Sequence, residues 1–503
     1  MDHAPDAQRA GAKRRHRAAD AATGQDQGQR RVPGLALEVG GGFRALTRRA
    51  SRRGLLGALA AALLVSGCTL SEPTPSPSPP SSVQTGQTSS AQASASPRSG
   101  QVIPAPGSTS EVYRPNPSAI VVVIDPGHGG CLDWGVPNPY DNKVAKSEKA
   151  DTLGIALALR DLLAAQGITV VLTRNDDSAL AGDLYPPLGC QGAPFRDVNG
   201  DGVAGFGPSV PDSTRTRDEL SARIDLANLA RADLFISLHI NSLTQNGVVY
   251  QIAATQTFYT DAFPWADASR RLASTVEADV VRSMGKAASY RRQDRGIDGA
   301  APYLYVLKPP GSAPSSPRRG LFMPAVLSEV GSVSLKAESE LLATAPGREA
   351  AARGVYDGVV DYLRGRARAA RIDALVPAGE AGVAPQPAPG AGPPYWPALV
   401  PSSGALQLRL TNTGTASWPA GLQLASGWHA SAKPYLAAAP ARLQGAGVAI
   451  PQLGPGESVE LSVTLPAPPS GSRQVAWITL VASDGASFAR DGSVALQLAT
   501  ASP

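Results

Sequence analysis

Residues 121–130 read VVVIDPGHGG: a continuous apolar run, then Asp-Pro-Gly, then a histidine set between glycines. A short β-branched run without polar alternation is the pattern of a strand covered on both faces. Such strands build α/β sheets, in which ligands bind beyond the carboxyl ends of the strands. His128 stands at that place, on a loop whose glycines allow close approach to the backbone. It is a candidate ligand or catalytic group, and the run makes α/β the fold class to test outward along the chain.

Three further runs have the same character: ITVVLT (168–173), DLFISLH (233–239) and PAVLSEV (324–330). Between them lie helical patterns. In EKADTLGIALALRDLLAAQG (148–167), Leu153 and Leu157, and Ile155, Leu159, Leu162 and Leu163, recur at helical spacing, and Gly167 supplies a stop. TRDELSARIDLANLARA (216–232) is a second helix, and others are expected over 266–284 and 347–364. Strand–helix alternation over 118–366 predicts one α/β domain, a single mostly parallel sheet flanked by helices.

The chain has five histidines, and this region holds only His128 and His239. Each directly follows a predicted strand. Imidazole is the usual zinc ligand, and a catalytic zinc takes three protein ligands with one position open to water, so a carboxylate is a candidate third ligand. Glu329 lies within an apolar strand, where an unpaired carboxylate is costly, which favours a functional use. Asn241, two residues beyond His239, projects to the same side of an extended chain as a supporting or substrate contact.

The segments IDPGHGG, EKADTLGIALALRDLL, VVLTR, SLHINS, Arg295-Gly296 and PAVLSEVG occur in the order found in the zinc-dependent N-acetylmuramoyl-L-alanine amidases of the bacterial cell wall, type 3. The resemblance spans about residues 119–364. It implies hydrolysis of the amide joining the muramic-acid lactyl group to the L-alanine of the peptidoglycan stem peptide. By the same resemblance His128, Glu148 and His239 are the ligands of one zinc ion, Glu329 is the general base and acid, and Arg295 is a candidate substrate contact. Other zinc amidohydrolases acting on the wall, and a catalytically silent wall-binding protein, are the alternative readings.

Several segments depart from the family pattern. Residues 175–215 form a long insertion, the gap between His128 and Glu148 is extended, and the loop after His239 replaces a compact stretch. Cys131 and Cys190 are either a disulfide tying the first loop to the insertion or two free thiols. Within the insertion, DVNGDG places Asp197, Asn199 and Asp201 at the spacing of a calcium loop, but position twelve is Pro208 rather than glutamate. A Ca2+ site and a plain Asx-rich turn are both open there.

The remainder is organised around export. At 503 residues the chain is long enough for two to four domains. The net charge of +5 comes from the N-terminus: residues 1–67 hold 12 of the 46 Lys and Arg and 5 of the 41 Asp and Glu. The remainder carries 34 basic and 36 acidic residues, which gives no electrostatic case for nucleic acid. TRRASRRGLLGALAAALLVSGC (47–68) is a basic stretch, a short apolar run and small residues before Cys68. It resembles a lipoprotein signal with lipid attached at Cys68; an ordinary signal peptide or an anchor helix is the alternative. SRRGLL (51–56) also resembles a twin-arginine export signal. Residues 68–117, rich in Ser and Pro, read as a disordered tether, and 367–394, rich in Ala, Pro and Gly, as a linker.

Residues 395–503 show short alternating strands separated by turn residues, which predicts an all-β sandwich. TNTGTASWPAG (411–421) and the segments after it resemble the immunoglobulin-like domain named for a conserved tryptophan. Trp418 and Trp477 are expected in its core, and a wall or protein partner for this module follows from analogy alone.

Overall fold

The computed structural model describes residues 102–103, then 119–375 apart from 142, 183–194, 205–215, 246–247, 260, 300–303 and 311–319, then 398–500 apart from 400–404, 431–443 and 472–473. The leader, Cys68, most of the tether, Cys190 and residues 376–397 lie outside the described residues. All described residues fall within one compact unit, Thr74–Pro503.

Strand β1 (Val102–Ile103) precedes the α/β region. That region contains β2 (Val121–Pro126), β3 (Thr169–Leu172), β4 (Leu234–Asn241), a hairpin of β5 (Thr244–Gln245) and β6 (Val248–Val249), β7 (Ala253–Tyr259), β8 (Arg292–Asp298) and β9 (Ala325–Ser332). Its helices are α1 (Glu148–Ala164), α2 (Arg217–Leu229), α3 (Ala266–Ala287), α4 (Lys336–Leu342) and α5 (Ala345–Arg364). The main sheet runs β3-β2-β4-β9-β7-β8. Only β7 against β9 is antiparallel; the other four pairings are parallel. The sheet is thus mostly parallel, as expected, with β7 and β8 reversed.

The apolar runs are divided by the two-residue period of a strand. Val122 and Ile124 of β2, with Leu234, Ile236 and Leu238 of β4, pack beneath α1, α3 and α5. Val121, Val123 and Phe235 point to the other face, against Ile224 and Ala227 of α2 and Val306, Leu307 and Leu321. Helices α3 and α5 meet closely because Gly354 and Gly358 lack side chains. A Cβ there would lie 2.6 and 2.5 Å from the Cα atoms of Val280 and Val276. β3 sits at the sheet edge and is only partly covered.

The C-terminal region is the expected sandwich. Its strands are β10 (Ala370–Leu375), β11 (Ala398–Leu399), β12 (Ala405–Asn412), β13 (Gln423–Ala430), β14 (Gln444–Ala449), β15 (Ser458–Thr464), β16 (Gln474–Val481) and β17 (Leu496–Ala499). They form sheets β1-β15-β12-β10 and β11-β17-β16-β13-β14. Two expectations are corrected by this topology. Residues 370–375, placed in a linker, are the strand β10, paired with β12 only six residues after α5 ends. Val102 and Ile103, placed in the tether, pair with β15. In both cases the partner strand, distant in sequence, supplies the order that local composition does not.

Trp418 is a core residue as expected. It is fully buried, its indole N–H donates to the Ala369 carbonyl at 3.1 Å, and its ring meets Phe488 edge-on. Trp477 is not: it leaves the sandwich core and packs with Phe322 and Trp265 of the α/β region, stacked on Trp265 at 6.3 Å. Strand alternation explains this, since Ala476 and Ile478 take the inward positions on β16. An ion pair, Arg231 to Asp373 of β10 at 2.9 Å, crosses the same boundary.

Candidate metal centre and active site

The parallel strands β2, β4 and β9 end side by side, and their ends build the site. His128 follows β2 in a left-handed conformation, φ 62°, which costs a non-glycine residue energy and must be held by its surroundings. Arg223 of α2 supplies one such hold. Its buried guanidinium donates to the carbonyls of His128 and Pro126 and pairs with Asp125 and Glu219.

Glu148 opens α1, where a carboxylate is favoured by the helix dipole. It lies on the far side of the strand ends and reaches across them. Its Oε1 accepts from the Ile240 backbone N–H at 2.9 Å and its Oε2 from the Val136 N–H at 2.7 Å. The same oxygens stand 3.1 Å from His239 Nδ1 and 3.1 Å from His128 Nε2. Burial works against the charge on Glu148, but His128 above all, and His239, hold its carboxyl well below the usual range. His128 is shifted the other way: burial opposes its protonation, yet Asp133 and Glu148 raise its pKa well above the ordinary value.

One donor atom from each of His128, Glu148 and His239 lies within 4.8 Å of the others, and this is the single His/Cys/Asp/Glu cluster of metal-binding form among the described residues. Two imidazoles and a carboxylate suit zinc. Space is kept by glycines. A Cβ on Gly127 would lie 2.6 Å from His239 Nε2, and one on Gly135, at φ +81°, would overlap the Glu148 carboxylate and approach His128 Cδ2 to 2.8 Å.

Glu329 stands on β9 directly opposite His239 on β4. Its Oε2 is buried and has no hydrogen-bond partner. Burial, reinforced by the charge on Glu148 and countered by His128, raises its pKa well above the usual carboxylate range. The structure therefore brings His128, Glu148, His239 and Glu329 to neighbouring strand ends. Asn241 is buried at the end of β4, where its carbonyl accepts from Val333 N–H. Arg295 lies apart from the cluster, exposed on the edge strand β8.

The DVNGDG segment is an Asx-rich turn. Asp197 accepts from the amides of Gly200, Asp201 and Gly202, and Asp201 from that of Val203. Cys131 is disulfide-bonded, which sets aside the free-thiol reading for that residue. Asp133, Asp125, Arg174 and Arg223 surround the site and were not singled out in the sequence. The signal for Asp133 was its place in the His128 loop; Arg223 was hidden as one of many arginines. Arg174 donates to the carbonyls of Pro126, Gly127 and Lys149 and so fixes the first-loop backbone.

An α/β sheet that gathers two histidines and a glutamate able to hold a metal ion, with the unpartnered Oε2 of a second glutamate beside them, is the arrangement of a hydrolytic site. Residues 122–361 match the N-acetylmuramoyl-L-alanine amidase family, and this domain of the chain belongs to it. The chain is 24% identical over 246 residues to the germination-specific N-acetylmuramoyl-L-alanine amidase of Bacillus subtilis, covering 49% of this chain and 81% of that protein. It is 26% identical to the Bacillus subtilis N-acetylmuramoyl-L-alanine amidase LytC, covering 48% of this chain but 35% of that one. A solved structure, the CwlD amidase of Clostridioides difficile in complex with the GerS lipoprotein, is 25% identical, with coverage of 48% and 98% and a TM-score of 0.34. The domain is a cell-wall amidase.

Proposed function

We propose that this chain is a zinc-dependent amidase that cleaves the bond between the muramic-acid lactyl carbonyl and the L-alanine nitrogen of peptidoglycan stem peptides. The observation that carries the reading is the meeting of three donors of zinc-binding type with the unpartnered Glu329 Oε2 at adjoining strand ends. His128, Glu148 and His239 hold the zinc. When bound, it supplies Lewis-acid polarisation of the scissile carbonyl and of an attacking water.

Glu329 does the proton work. Its carboxylate takes a proton from the attacking water as the new C–O bond forms, and returns it to the alanine nitrogen as the C–N bond breaks. A carboxyl kept basic by burial and by Glu148 suits both halves of that exchange. Asn241 and Arg295 are candidate contacts for the muropeptide.

The chain acts outside the cytoplasm, held to the membrane by lipid on Cys68, with Cys131 bonded to Cys190. The run of small residues before Cys68 supports the lipid anchor, and among the described residues no helix is long and apolar enough to cross a membrane. A partner in the wall, or a protein, for the outer surface of the sandwich is part of the same reading.

Digestion of purified peptidoglycan tests the activity. Release of stem peptides beginning with L-alanine is expected, and loss of that release in Glu329→Gln with zinc content retained. Cleavage at another bond points to a different amidohydrolase, and binding without release to a silent module.

A further inference from the structure

We propose that Asp133 is the positioning residue of the metal centre. It fixes the His128 ring through Nδ1, so that Nε2 is presented to zinc, and raises the donor strength of that nitrogen. The inference rests on the zinc reading above and goes beyond it, since Asp133 offers nothing to the metal itself.

The geometry is specific. His128 Nδ1 stands 2.7 Å from Asp133 Oδ1, while Nε2 of the same ring faces Glu148 Oε2 at 3.1 Å. A carboxylate accepts from Nδ1–H, which leaves the lone pair on Nε2, the nitrogen turned toward the other two donors. The carboxylate is in turn held by its own loop. Gly129 N–H donates to the Asp133 carbonyl at 3.0 Å, closing a one-bridge antiparallel turn between Gly129 and Asp133. The Gly135 N–H lies 3.3 Å from the same Oδ1.

Three left-handed residues in a row, His128, Gly129 and Gly130 at φ 62°, 136° and 69°, fold the chain back so that a residue five positions on meets the ring. Arg223 fixes the start of this turn through the His128 carbonyl, and Arg174 fills the space where a Gly129 side chain would stand. His239 differs: its Nε2 edge lies against Gly127, and among the described residues the carboxylate paired with its ring is that of Glu148. The support is therefore concentrated on one of the two imidazoles.

An imidazole ligand oriented by a carboxylate loses about 10–100-fold in metal affinity when that partner is removed. Asp133→Asn and Asp133→Ala in the full chain, stripped with a chelator, should both show the melting temperature of metal-free wild type. Zinc dissociation constants, measured by competition with a chromophoric chelator, should rise about tenfold in Asp133→Asn and about a hundredfold in Asp133→Ala. The cobalt-substituted visible spectrum should shift in both, which a loop defect remote from the ligand does not produce.

Wild-type zinc affinity within twofold in both variants overturns the proposal. So does a fall in affinity matched by a fall in the metal-free melting temperature of Asp133→Asn, which makes the role structural. Failure of the wild type itself to bind one zinc per chain overturns the zinc reading instead, so the two failures are distinguishable.

Discussion

Glu329 and Glu277 show how burial, helped by a neighbouring carboxylate, changes the chemistry of a carboxyl group. Both are raised by desolvation, but Glu329 stands at the strand ends beside His128, Glu148 and His239, whereas Glu277 of α3 faces Thr257 of β7. Glu277 is pushed up to about 8, burial being the largest cause, with Asp294 adding to it and the Thr257 hydroxyl opposing it. In the unfolded chain it titrates near 4.5. The fold therefore binds the proton more tightly, and its contribution is fully present below pH 4.5 and lost as the pH rises through about 8. Glu277→Gln should match the wild type in melting temperature near pH 4.5 and exceed it progressively toward pH 9. Parallel melting curves for the two proteins across that range would count against a protonated Glu277. Glu329→Gln is expected to lower turnover by at least a hundredfold, the low end of a general acid–base contribution, at unchanged zinc content. Near-normal product release from that variant removes Glu329 from the proton-transfer role.

At the scale of elements, the site depends on loops that only glycine permits. Gly135 sits at φ +81° with Glu148 and His128 against it. Gly135→Ala should displace one of these side chains and lower zinc affinity while leaving the helix and strand content of the circular dichroism spectrum unchanged. Zinc bound as in wild type shows that the loop gives way instead. The ends of β2, β4 and β9 were legible because continuous apolar runs stop abruptly at polar or glycine residues. Glu148 was legible only through the family order, since a glutamate opening a helix is ordinary. Asp133 was not singled out because its role arises from a reversal of the chain that three positive φ values create. Trp477 was misplaced for a related reason: an apolar strand with two buried faces does not announce which face meets the core.

At the scale of the molecule, the sandwich packs directly on the catalytic domain within one compact unit. β1 upstream and β10 downstream of the amidase join the same sheet, and Trp265, Phe322 and Trp477 cement the boundary. Gly414 and Gly492 pack where a Cβ would overlap Ala367 and approach Ala268 to 2.8 Å. Trp477→Ala should destabilise the chain by about 3–5 kcal/mol, as large buried aromatics do. Denaturant unfolding should remain a single transition, followed equally by zinc release and tryptophan fluorescence. Two separate transitions, with the zinc-releasing one untouched by the substitution, contradict a shared unit. Cys68→Ser should release the exported protein from membranes, and retention there points to an uncleaved anchor.

What the sequence determined by itself was the α/β class, the presence of a β-rich C-terminal module, and the candidate ligand and acid–base residues. Those depend on local patterns: apolar period, helix stops, and the order of short motifs. Only the tertiary structure decided that Asp133 backs His128, that residues 370–375 are strand rather than spacer, and that Trp477 serves the interface. Each of those depends on which distant surface a segment meets. A hydrogen bond across a reversed loop, or an edge strand's choice of partner, is set by packing and has no signature in composition.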